Sequence, residues 1–309
     1  MKPHPIFSAW WLACCLRSAS CAQEPLPEGN IGIAAKYPDD AGIAAAALFH
    51  DDFEKDDLKS KWDNVHHDQH IRMAMEPENV HGGKRSLEFT VPQQQKELSN
   101  AAVKKLGEGH DAVFLRYYSK FEDGFDQTGS SHNGGYLTAI APGVSFATPG
   151  VPADGAKKFG ASFENWRENT ETRSPGELNV YCYHPGQRTA FGDHFFPSGK
   201  VLPFSYKPGD FGPAFVKRPD LTQELGRWYC YELMVRANTP DQKDGRIACW
   251  LDGKLIADFP NLRLRDVAEL KINHAALDLH LGSNNTRANK KWYDDVVVAT
   301  SYIGPKADK

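Results

Sequence analysis

Several things are scarce in this sequence, and each scarcity excludes something. Beyond the first two dozen residues no apolar run approaches the ~20 residues that a membrane-spanning helix needs, so no such helix is expected there. Cysteine is sparse: of six, Cys14, Cys15 and Cys21 crowd the beginning, leaving Cys182, Cys230 and Cys249. An odd number allows at most one bridge, with Cys230 and Cys249 in consecutive predicted strands as its candidates and buried free thiols as the alternative. Positive charge is not in excess, since 36 Lys and Arg face 40 Asp and Glu for a formal net charge of −4. That balance argues against a general nucleic-acid binder, whose surface is usually basic. Internal repeats and long helix-forming segments are lacking too.

What is present begins with Lys2, the apolar run "IFSAWWLACCL" and the small residues "SASCA". This is the layout of a secretory signal peptide over residues 1–22, and it predicts an exported protein. Its removal takes Lys2 and Arg17 with it and moves the formal charge from −4 to −6. Ser18 stands where a bacterial lipobox normally has leucine, which argues against a lipid on Cys21. Residues 23–47, rich in Pro, Gly and Ala without a sustained period, read as a flexible N-terminal extension.

From residue 48 to 305 the chain reads as one domain of short strands punctuated by Gly, Pro, Asn and Asp. In "RSLEFTV" the alternation places Leu87, Phe89 and Val91 on one face. In "AVFLRYYSKF" it sets Arg116, Tyr118 and Lys120 against Leu115, Tyr117 and Phe121, and in "ELNVYCYH" it sets Asn179, Tyr181 and Tyr183 against Val180 and Cys182. "LDGKLI" carries an Asp-Gly turn, a strong hairpin signal. The spacing predicts an all-β antiparallel sandwich or jelly roll. Two long irregular segments, 142–176 and 184–227, are candidates for site-building loops.

The opening "HDDFEKDDLKSKW", the block "GRWYCYELMVRANTPDQKDGRIACWLDGKLI" and the ending "WYDDVVVATSYIGP" together resemble the concanavalin A-like lectin/glucanase superfamily, especially its polysaccharide-lyase-like members. The resemblance implies a jelly roll that binds a glycan along its concave sheet. It leaves the chemistry open, because lyases, glycoside hydrolases and noncatalytic lectins share the sandwich. Neither the "QIH" triplet nor the "RTELRE" strand of one alginate lyase group is present. The "E-x-D-x-x-E" strand of hydrolases with this fold is also missing; Glu232 and then Glu164 are the best isolated acids.

A lyase acting on a uronic-acid polymer must neutralise a carboxylate, remove the neighbouring proton and protonate the leaving oxygen. The stretch "SSHNGGYL" follows the strand bearing Arg116, so Asn133 and Arg116 are expected to bind the carboxylate and His132 or Tyr183 to take the proton. Tyr118, Lys120, Tyr181, His184, Trp166 and His194 are the expected substrate contacts. Taken singly, His132 reads equally as a turn histidine and Arg116 and Lys120 as a solvated face. Stacking on tryptophans without converging His, Tyr and Arg would instead mean a glycan-binding module. Asp52, Glu54 and Asp294 are candidate ligands for a structural Ca²⁺, an acidic edge without an ion being the alternative. No cofactor is expected for catalysis, and the expected partner of this monomer is an acidic polysaccharide.

Overall fold

A computed structural model of the chain describes residues 24–37, 39–129, 131–145, 148–187, 189–203, 214–283 and 285–306. The signal peptide expected at 1–22 lies outside the described residues. The first strands are β1 (Phe49–Asp51), β2 (Asn64–His66), β3 (Ile71–Ala74), β4 (Ser86–Val91), β5 (Leu98–His110), β6 (Ala112–Phe121), β7 (Ser131–His132) and β8 (Gly135–Ile140). They are followed by β9 (Lys158–Trp166), β10 (Glu177–Tyr183), β11 (Asp193–Phe195), β12 (Val201–Leu202) and β13 (Tyr229–Arg236). The last four are β14 (Gly245–Leu251), β15 (Lys254–Leu262), β16 (Ile272–Leu281) and β17 (Asn289–Ala299).

These strands make two antiparallel sheets. The back sheet runs β15-β14-β13-β6-β17-β4-β3 with β1 beside β17, and the front sheet runs β12-β11-β10-β9-β8-β16-β5-β2 with β7 beside β16. Between them lies one apolar core, to which β6 sends Leu115, Tyr117 and Phe121, β10 sends Leu178, Val180 and Cys182, and β9 sends Phe159 and Phe163. Each large apolar side chain so buried contributes roughly 1.5–3 kcal/mol, which fixes the inward parity of every strand. The predicted hairpin forms between β14 and β15: Asp252 and Gly253 both have positive φ, 49° and 76°. That is the backbone a two-residue turn of the I′ type demands.

The segment expected to be a loose extension is instead docked. Helices α1 (Ile33–Lys36) and α2 (Asp40–Ala46) lie on the outer face of the back sheet, where Ile33 and Ile43 pack with Phe114, Met234, Trp250, Val297 and Ile303. Side chains of that size on an outer face need a cover, and the extension supplies it. Trp250 Nε1 donates to the Pro27 carbonyl at 2.7 Å and Arg246 Nη1 to that of Glu24 at 2.8 Å. Asp39 caps α2, its Oδ1 accepting from Gly42 N at 2.7 Å.

No bridge links Cys230 to Cys249; these and Cys182 are buried free thiols. The register explains it, because Cys249 sits across from Leu233 and Cys230 across from Tyr118, on opposite faces of the sheet.

The two glycines of "HNGG" stand at close approaches that leave no room for a side chain. A Cβ on Gly134 would lie 1.9 Å from the Phe163 carbonyl oxygen, and one on Gly135 would lie 2.3 Å from the Tyr117 ring. Tyr117 OH accepts from Gly135 N at 2.8 Å and donates to Phe163 O at 3.2 Å, stitching β6 to the edge of the site. We expect Gly134→Ala to cost at least about 1 kcal/mol of unfolding free energy, because the clash is with backbone rather than a movable side chain. A denaturant midpoint unchanged from wild type would contradict this.

Candidate active site

The outer face of the front sheet carries the side chains that the core does not use. On β10 these are Asn179, Tyr181 and Tyr183; opposite them in register on β9 stand Glu164, Ser162 and Gly160. Tyr136 on β8 also faces Ser162, and His194 on β11 faces Tyr181. From the other side β16 brings His280 against His132 of β7. Gly160 has a structural reason: a Cβ there would stand 2.3 Å from the Tyr136 hydroxyl, so its absence gives that hydroxyl room.

Distances make this a connected group. His132 Nδ1 lies 3.0 Å from Glu164 Oε2, and the His132 ring is 4.6 Å from that of Tyr181 and 5.3 Å from that of His280. The Tyr181 and Tyr183 hydroxyls are 3.5 Å apart, and Tyr181 OH also accepts from Gly192 N at 2.9 Å. His194 Nδ1 meets Asn179 Oδ1 at 2.9 Å, since the Asn179 amide nitrogen is turned toward the Glu164 and Glu177 carbonyls. Trp166, half-buried at the end of β9, lies 5.2 Å from the His194 ring. Lys158 holds its ammonium 4.3 Å above the Tyr183 ring and donates to the Thr148 carbonyl at 2.8 Å. The Glu164 Oε1 and Ser162 Oγ atoms are buried without a hydrogen-bond partner.

The charges follow from this packing. Burial works against a charged His132, but the Glu164 carboxylate outweighs it and raises the imidazole to about 9. His194 and His280 go the other way, to about 3 and about 4, through burial and the neighbouring His132 charge. Burial lifts Asp278 to about 6, and burial with the adjoining Tyr183 pushes the Tyr181 phenol well up. Behind this face, inside the sandwich, burial brings Lys291 down to about 7; its ammonium donates to the Asn133 carbonyl. At neutral pH the face therefore presents one charged imidazole, two neutral ones and protonated Tyr181.

His132, Tyr181, Tyr183, Trp166 and His194 are thus brought to one face, while the other expected site residues are not. Arg116, Tyr118 and Lys120 point outward as the alternation predicted, but from the back sheet, on the opposite side of the sandwich. Arg116 is wholly buried with its guanidinium 5.3 Å from the Tyr118 ring. Tyr118 stacks on His81 at 3.6 Å, and Lys120 Nζ donates to Asn79 Oδ1 at 2.9 Å. Asn133 turns inward: its amide nitrogen donates to the Asn165 carbonyl at 2.9 Å and its Oδ1 accepts from Asn165 N at 2.9 Å. It braces the turn against β9 and is not available to a substrate carboxylate. His184 continues the inward parity of Cys182 and pairs with buried Asp193 at 2.8 Å.

The expected calcium ligands do not converge either. Asp294 clusters with His81 and Asp295, not with Asp52 and Glu54. Glu54 Oε1 accepts from the backbone nitrogens of Lys84 and Arg85 at 2.7 and 3.0 Å, and Asp52 Oδ1 from Glu54 N at 3.3 Å. Asp294 accepts from the nitrogens of His81, Gly82 and Asp295, while Asp295 pairs with Lys306. These oxygens serve protein donors, which is not the oxygen cage of a calcium ion. Glu232, the first-ranked acid, accepts from Ile303 N and Gly304 N at 2.8 Å each on the back sheet.

Lys158, Ser162, Asp278 and His280 were missed. The signal for the β9 members was in "KFGASFENW", whose alternation places Lys158, Gly160, Ser162, Glu164 and Trp166 on one face. Because Asn133 makes three buried hydrogen bonds, Asn133→Ala should lower unfolding free energy by about 1–3 kcal/mol, measurable by urea titration. A substrate-facing Asn133 would instead change kinetics and spare stability.

A family model described as polysaccharide lyase 14 matches residues 78–295. None of the curated proteins matches the chain. Among solved structures, a mutant of the alginate lyase Aly36B in complex with alginate tetrasaccharide aligns at 15% identity and a TM-score of 0.56, over 83% of this chain and 94% of that one. The alginate lyase vAL-1 from Chlorella virus aligns at 14% identity with a TM-score of 0.54, over 79% and 95% of the two chains. The endo-β-1,4-glucuronan lyase of the fungus Trichoderma reesei aligns at 16% with a TM-score of 0.53, over 82% and 96%. At such identities the likeness to these structures is one of fold.

Proposed function

This chain belongs to the polysaccharide lyase 14 family, and we propose that the outer face of its front sheet cleaves a uronic-acid polysaccharide by β-elimination, in an exported protein. The observation that carries the reading is the convergence of His132, Tyr181, Tyr183 and Lys158 on that one face. The similar folds bound to or named for alginate and glucuronan, both uronate polymers, support the substrate class.

The reaction removes the proton on C5 of a uronate, breaks the bond from C4 to the glycosidic oxygen, forms the C4–C5 double bond and puts a proton on the departing oxygen. Tyr183 suits proton removal as a phenolate: the Lys158 ammonium beside its ring favours the negative charge that its oxygen must carry before it takes the C5 proton and becomes neutral. Tyr181, held protonated by its burial and 3.5 Å from Tyr183, suits proton delivery to the leaving oxygen. His132 is a poor base here, because an imidazole raised to about 9 already carries its second proton at neutral pH. Trp166 and His194 flank the group on the β11 side, where a flanking sugar ring would stack.

No helix among the described residues is long and apolar enough to cross a membrane. Incubating the purified protein with alginate, glucuronan, heparin-like and pectin-like polymers should raise ultraviolet absorbance from unsaturated uronate ends on at least one. Tyr183→Phe should reduce that rate by roughly 10²–10⁴-fold with little change in thermal unfolding, whereas Lys120→Met on the opposite sheet should leave kcat unchanged. New reducing ends without absorbance would indicate hydrolysis, and binding without either product would indicate a lectin.

A further inference from the structure

None of the nine strands of the front sheet contains an arginine, and the one expected for the task, Arg116, is buried in the other sheet. Among the described strands of this face, then, no guanidinium is at hand for a uronate carboxylate, and the cationic side chains beside its two β10 tyrosines are Lys158, over Tyr183, and His132, beside Glu164. We propose that Glu164 is a positioning residue that holds His132 as an imidazolium, and that His132 binds the substrate carboxylate through Nε2–H in place of a guanidinium. This inference rests on the lyase reading and identifies the group that reading leaves open.

The geometry supports it at three points. Glu164 has a side chain with 0% exposure and His132 one with 29%, so the carboxylate is sealed beneath the ring while the ring reaches solvent. The contact of Glu164 Oε2 is to Nδ1 at 3.0 Å, which leaves Nε2, across the ring, as the nitrogen not engaged by Glu164. Asn133 and Gly134, directly after His132, are fixed by hydrogen bonds to Asn165 and to Asp278 Oδ1, so the backbone that carries the ring is anchored on both neighbouring strands. A buried carboxylate facing a polyanion would oppose binding if it stood alone. Paired with His132 it becomes the counter-charge that keeps a cation at the surface.

Other titratable groups surround the pair: Tyr181 and Tyr183 on β10, His194 on β11, Tyr136 on β8, Asp278 and His280 on β16, and Lys291 on β17 behind. Asp278 adds to the pull on His132, and burial, reinforced by the imidazolium, holds His194 and His280 neutral. His132 accordingly should lose its proton only near pH 9.

Glu164→Gln keeps the shape and a hydrogen-bond acceptor but removes the charge. With His132 returned to an imidazole pKa of about 6.5 or below, activity at pH 8 should fall at least about tenfold, mainly through KM, and recover toward wild type near pH 5.5. Glu164→Asp, which retains the charge, should preserve more of the alkaline activity. A loss of equal size at every pH, with an unmoved alkaline limb, would overturn the proposal. The titration of the His132 ring by NMR is a second readout that needs no turnover: it should drop in Glu164→Gln, and an unchanged midpoint would also overturn the proposal. Failure of the lyase reading looks different, since wild type would then release no unsaturated product while the His132 titration still responded to Glu164.

Discussion

Much of the back sheet is buried on both sides, and this constraint bears on where chemistry can occur. Its inner face shares the core with the front sheet, and much of its outer face is covered by α1, α2 and the segment around Ile303. Arginine, tyrosine and glutamate on that outer face, Arg116, Tyr118 and Glu232, are consequently absorbed into packing and backbone contacts. The polar outer face of the front sheet brings tyrosines, histidines and a lysine together, and it is there that we place the reaction.

On that face, burial and charge divide residues of the same type into different roles. Three histidines stand close together, yet His132 is 3.0 Å from a Glu164 oxygen while His194 stands 4.0 Å from the other; burial, with the His132 charge added, disfavours charge on His194 and His280. The two tyrosines of β10 differ as well, Tyr181 engaged by Gly192 N and Tyr183 lying under Lys158. Glu164, which by itself suggests a hydrolytic acid, acts through its partner because its oxygens lie below the surface that a sugar would touch.

Much of the fold could be read from local pattern. Alternation in "AVFLRYYSKF" and "ELNVYCYH" assigned inward and outward side chains correctly, and the Asp-Gly pair marked its hairpin. The same pattern in "KFGASFENW" carries the β9 contribution across five alternating positions, of which Glu164 taken singly shows only one. The docking of residues 24–37 and 39–47 is less legible, because a few apolar side chains such as Ile33 and Ile43 in a Pro- and Gly-rich stretch signal packing only when the surface awaiting them is known.

The sequence by itself determined a jelly roll and which side of each strand faces the core, since side-chain parity is a property of two consecutive residues. It also placed His132, Tyr181 and Tyr183 among the chemical candidates. Only the tertiary structure decided that β6 belongs to the sheet opposite β7 and β10, separating Arg116 from His132, and that Glu164 lies beneath His132. Sheet membership and register are set by pairings between residues tens to hundreds of positions apart, and no local period encodes them.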